Sequence, residues 1–140
     1  MSTMPILTDE ELSPEAAAVF DEIRAVRKTS FVNNFWRVLA NDPPSLRRTW
    51  DSLKQVMGPG TLDPLTKELI YVAVSMANSC EYCIRSHTAA ARAKGMTDAQ
   101  YMELVAVVAM AAETNRLVTS LQVPVDAAFL PQPPAPFKQP

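Results

Sequence analysis

The stretch Ser79-Cys80-Glu81-Tyr82-Cys83-Ile84-Arg85-Ser86-His87, SCEYCIRSH, sets how the rest of the chain reads. It holds both cysteines of the 140-residue sequence and its only histidine. Residues three and four apart are neighbours on a helix, so Cys80, Cys83 and His87 fall on one stripe if this stretch is helical. A helix that begins near Cys80 places both sulfurs at its N-terminus. There the unpaired backbone N–H groups and the positive end of the dipole stabilise a thiolate. Such placement lowers a thiol pKa from about 8.5 to between roughly 3.5 and 7.5. The thiolate is the reactive form, the second thiol can close a disulfide onto it, and a histidine one turn along can take up or relay a proton.

Working backwards, Asp63-Pro64 is a cap followed by proline at the first helical position. The segment from Leu65 to Ala77 is apolar on nearly all sides, which predicts a buried helix. Glu68 is the conspicuous acid in it. If this helix and the next form an antiparallel hairpin turning around Ser79, a rise of about 1.5 Å per residue brings Glu68 level with His87–Ala91. A carboxylate then meets the imidazole. The alternative is that Glu68 lies in an exposed first turn, where acids favour the dipole.

The remainder also reads as helix. Ser13-Pro14 opens a helix to about Lys28, with Ala17, Phe20, Ile23 and Arg24 as its stripe and Arg27 completing the turn. Asn33–Ala40 places Phe35, Val38 and Leu39 at helical spacing. Asp42-Pro43 restarts the pattern, with Leu46, Trp50, Leu53 and Met57 on one face and Trp36 and Trp50 as core. MGPGT, residues 57–61, breaks the chain. Gly95 ends the cysteine helix, and Thr97 with Gln100 makes a capping box for an Ala- and Val-rich helix to about Leu121. Met57, Met76, Met96, Met102 and Met110 read as gap fillers. Residues 122–140 are too proline-rich for a helix and are expected to be extended, either as a free tail or as an arm that lays Phe129, Leu130 and Phe137 on a neighbouring subunit. The expectation is therefore an all-α, compact bundle of about six helices over 1–121, with a Pro-rich arm over 122–140.

Thirteen basic against fifteen acidic residues give a net charge of −2, which argues against nucleic acid or an anionic membrane as partner. The longest apolar runs fall short of the roughly 20 residues that span a bilayer. The start, Met1-Ser2-Thr3-Met4-Pro5, shows no basic region followed by an apolar one, so a cytoplasmic location is expected. Two cysteines are too few for a secreted disulfide framework; in the cytosol such a pair points to catalysis or metal binding.

The full pattern Glu68-x11-Cys80-Glu81-Tyr82-Cys83-x3-His87 resembles the AhpD-like branch of the carboxymuconolactone decarboxylase superfamily, over roughly residues 33–116. The resemblance implies an all-helical oligomer, a trimer or hexamer, whose cysteine pair reduces hydroperoxides or disulfides without a bound cofactor. It implies that Cys83 attacks the peroxide, that Cys80 resolves the product, and that Glu68 and His87 relay the proton. Tyr82 stands where the family often carries an aromatic or histidine residue and is a candidate for lining the site. The reductant it implies is a dihydrolipoyl-type dithiol or a thioredoxin-like protein. Two other readings differ in kind. A muconolactone-type decarboxylase is the superfamily's other activity, in a branch without the paired cysteines. A zinc site of Cys80, Cys83 and His87 needs Glu68, water or another subunit as fourth ligand.

Overall fold

The computed structural model describes residues 2–131, all α-helix and connections, with no strand among them. Six helices follow in order: α1 (Pro14–Arg27), α2 (Asn34–Leu39), α3 (Pro43–Met57), α4 (Pro64–Ala77), α5 (Glu81–Ala93) and α6 (Asp98–Ser120). Short 3-10 turns lie at Asp9–Glu11 and Ala127–Phe129. The chain parts into two compact units, residues 1–64 and 65–140. No helix of the described residues is long and apolar enough to cross a membrane.

The first unit carries the larger apolar core. The Ser13 hydroxyl accepts the Ala16 N–H at 3.2 Å, and Pro14 fills the first helical position, so α1 starts where the sequence predicts. Its buried stripe is Ala16, Val19, Phe20 and Ile23, not the expected Ala17, Phe20, Ile23 and Arg24. Two positions of the expected stripe hold, and the buried face is centred one residue earlier. In α2 the anchor is Trp36, while Phe35 is 44% exposed. The larger indole takes the core position and turns Phe35 outward. Trp36 meets Trp50 of α3 edge to face, with ring centroids 5.6 Å apart. Leu46 is buried with them and Leu53 packs against the cluster.

Glu22 fastens α1 to α3. Its carboxylate accepts from Arg47 at 2.7 Å, Lys54 at 3.0 Å and the Trp50 indole N–H at 3.2 Å. The hydrogen bonds of Lys54 and then Arg47 hold its pKa down at about 2. α3 ends at Gly58, where a Cβ would stand 2.7 Å from the Lys54 carbonyl oxygen.

The second unit is sparsely cored. α4 is apolar all round, yet only Glu68, Val72 and Ser75 are buried, and Ile70 and Val74 are about half exposed. The chain covers one stripe of this helix, which corrects the expectation of a fully buried one. The capping box of α6 forms as read, with Thr97 and Gln100 exchanging bonds of 2.9 and 3.1 Å. None of the 23 residues of α6 is buried, although its outward positions include Val107, Met110, Leu117 and Val118. Met102 and Met110 are exposed; of the methionines read as gap fillers, only Met96 is buried. Beyond Leu121 the described residues are exposed, Phe129 and Leu130 among them. Phe137, with the rest of 132–140, lies outside the described residues.

Candidate active site

The turn between α4 and α5 is built by backbone hydrogen bonds. Ser79 takes a left-handed φ of 55°, unusual for a residue with a Cβ. Its N–H returns to the Met76 carbonyl at 3.1 Å, and the Cys80 N–H returns to that of Ser75 at 3.0 Å. Cys80 thus closes one helix and caps the next. Its sulfur accepts the Cys83 N–H at 3.3 Å, the bond a serine or aspartate oxygen makes at other N-caps. Cys80 and Cys83 are joined as a disulfide, with Cα atoms 5.4 Å apart. Both sulfurs sit on the first turn of α5, as the spacing predicts. Tyr82 lies beside them, 44% exposed.

One turn further, His87 meets Glu68. His87 Nδ1 is 2.8 Å from Glu68 Oε2, and the glutamate is 5% exposed. The hairpin register read from the sequence is therefore found, and the exposed first-turn alternative for Glu68 is not. The other carboxylate oxygen, Oε1, accepts from Lys94 Nζ at 2.8 Å. Burial pushes the Glu68 carboxyl up; the hydrogen bonds of His87 and Lys94, with their charges, outweigh it and hold the pKa below its ordinary value. An ionised carboxylate only accepts hydrogen bonds, so Nδ1 carries the proton. In the neutral ring Nε2 is then the basic nitrogen.

Tyr71 covers the imidazole. The two rings stack with centroids 3.6 Å apart and 16° between their planes. Neither Tyr71 nor Lys94 was singled out in the sequence, although spacing offered a signal for both. Tyr71 is one turn after Glu68 on α4, and Lys94 is two turns after His87 at the end of α5. In the disulfide state the sulfurs are bonded to each other, and the two Glu68 oxygens are engaged by His87 and Lys94. Among the described residues no cluster of His, Cys, Asp and Glu is arranged to hold a metal ion.

The pair is expected to cycle between dithiol and disulfide. Mass spectrometry of reduced protein after mild peroxide should show two hydrogens lost per chain and regained with a dithiol. Two thiols that stay free under peroxide would contradict it.

Residues 43–126 match the model of the carboxymuconolactone decarboxylase family. The chain is 61% identical to the alkylhydroperoxidase AhpD core from Rhodospirillum rubrum, known from a crystal structure. That match has a TM-score of 0.91 and covers 94% of this chain and 99% of the other. A curated relative, uncharacterized protein 4 in the cox locus of Paracoccus denitrificans, is 45% identical over 56 residues. This match takes in 40% of the chain and half the length of the relative.

Proposed function

The chain belongs to the carboxymuconolactone decarboxylase family, and from that premise we propose that it is an alkylhydroperoxidase-type thiol oxidoreductase. The carrying observation is the 2.8 Å contact of a buried Glu68 with His87, one turn from a cysteine pair at a helix N-terminus. In the reduced protein, His87 Nε2 takes the Cys83 proton. The thiolate attacks the terminal oxygen of ROOH and the O–O bond breaks. The proton from His87 goes to the departing alkoxide, which leaves as ROH, and Cys83 becomes a sulfenic acid. The Cys80 thiol attacks that sulfur, water leaves, and the disulfide forms. An external dithiol, dihydrolipoyl-type or on a thioredoxin-like protein, supplies two electrons and two protons to reset the site. Tyr82 lines the approach. The reaction uses no bound cofactor.

The test is peroxide consumption by purified protein with each dithiol. Turnover with one of them is expected. No consumption with any alkyl hydroperoxide, while the disulfide still forms and reduces, would leave a disulfide reductase and remove the peroxidase reading.

The helical domain, residues 1–121, carries this chemistry in the cytoplasm, and the extended segment after Leu121, over the described residues 122–131, lies on a neighbouring subunit. The support is the apolar surface that one chain leaves open on α4, on α6 and at Phe129 and Leu130. That surface supports a homo-oligomer, and the family resemblance supports a trimer or hexamer. Light scattering at micromolar concentration should give a multiple of 15.4 kDa. A monomer mass would remove the oligomer and with it the arm.

A further inference from the structure

We propose that Lys94 is a positioning residue of the proton relay: its ammonium holds Glu68 ionised and oriented so that His87 is free to accept the Cys83 proton. This rests on the peroxidase reading for its role in turnover, though not for its effect on the thiol.

The placement of Lys94 is built into the end of α5. Its own N–H bonds back to the Ala90 and Ala91 carbonyls at 3.2 and 3.0 Å. Gly95 then turns the chain with φ 97°, and the N–H groups of Gly95 and Met96 return to Arg92 and Ala91, both at 3.0 Å. Met96 is buried and pins the turn. The lysine stem therefore starts from a fixed backbone and ends 2.8 Å from Glu68 Oε1. His87 takes the opposite oxygen. Around this pair stand Lys94 at the end of α5, Tyr71 of α4 stacked on the ring, and the cysteine pair at the start of α5.

A buried carboxylate needs a compensating positive charge. Lys94 supplies it while the imidazole is neutral. Without Lys94, Glu68 is compensated by a proton drawn to the Glu68–His87 pair, and a ring that holds that proton cannot take the one from the thiol. The acid limb of Cys83 reactivity should then move to higher pH. Lys94 is itself partly exposed, at 38%, so solvent screens part of the effect. A shift of about one pH unit is expected, a roughly tenfold loss of rate on the acid side.

The experiment follows Cys83 against pH in Lys94→Met, Lys94→Gln and Lys94→Arg, in the reduced full chain, with circular dichroism confirming the fold. Two rates are read: iodoacetamide alkylation of Cys83, which needs no peroxide, and peroxide turnover. Met keeps the stem without the charge and Gln keeps a donor without the charge; both limbs should rise. Arg restores the charge and should return the limb to the wild-type position. Met and Gln limbs that coincide with wild type, or an Arg limb that follows Met, would overturn the assignment. A moved alkylation limb in a protein that consumes no peroxide would keep the role of Lys94 and remove the peroxidase reading. Normal peroxide turnover with unmoved limbs would do the reverse.

Discussion

Cys83→Ser is expected to abolish peroxide reduction outright, whereas Cys80→Ser should react once and stop. In the first variant the attacking sulfur is gone and no other thiolate stands one turn from His87. In the second, Cys83 still breaks the O–O bond but no thiol condenses with the sulfenic acid. Dimedone should therefore label Cys83 in Cys80→Ser after one equivalent of peroxide, with no turnover following. The geometry makes this a real contest, because the Cys80 sulfur occupies the N-cap and accepts the Cys83 N–H. A helix N-terminus stabilises negative charge on either sulfur. Dimedone on Cys80 in Cys83→Ser would mean that the two roles are exchanged.

Glu68→Ala and His87→Ala should keep both sulfurs and slow single-turnover peroxide reduction by roughly 10²–10⁴, the usual contribution of general acid–base help. A peroxide with a lower-pKa leaving group should recover part of the loss, since less proton transfer is then needed. Glu68→Ala acts at three points. His87 loses the acceptor that fixes its tautomer, Lys94 loses its anion, and a buried volume empties. The stability consequence has a definite sign. The Glu68 pKa is depressed in the folded chain, so its contribution is present above the ordinary carboxyl value and lost as pH falls through the folded one. Wild type should lose stability there more steeply than Glu68→Ala in a urea titration against pH. Glu68→Ala at the wild-type rate would take the carboxylate out of the relay and leave His87 alone.

Local signals carried most of the fold. Ser13-Pro14, Thr97 with Gln100, and Gly95 each fix a helix end through bonds to the adjacent backbone, and α4 begins at Pro64, so these ends read correctly without tertiary knowledge. The Glu68–His87 contact was legible because a tight turn between two helices leaves one register. Which face of a helix is covered is a different matter. Ala16 rather than Ala17, the outward turn of Phe35, and the open side of α4 depend on what lies opposite, whereas Trp36 and Trp50 are core as read. Composition gives an apolar residue no way to say whether its cover comes from this chain. Lys94 escaped notice for a related reason: a lysine near a helix C-terminus already has a sufficient explanation in the dipole.

The connection at Ser79–Cys80 has a kinetic meaning. Backbone hydrogen bonds from Ser79 and Cys80 to the end of α4 set Cys80 at the head of α5, so its sulfur and that of Cys83 meet on one turn. Closure is then intramolecular, with an effective molarity that can reach about 10⁵ M for well-oriented groups. No free thiol or peroxide in solution approaches such a concentration. If Cys83 is the attacking sulfur, its sulfenic acid is consumed by its neighbour before a second peroxide can carry it to the irreversible sulfinic state. On that assignment of roles, the three-residue connection between α4 and α5 is a safeguard against self-inactivation at high oxidant load.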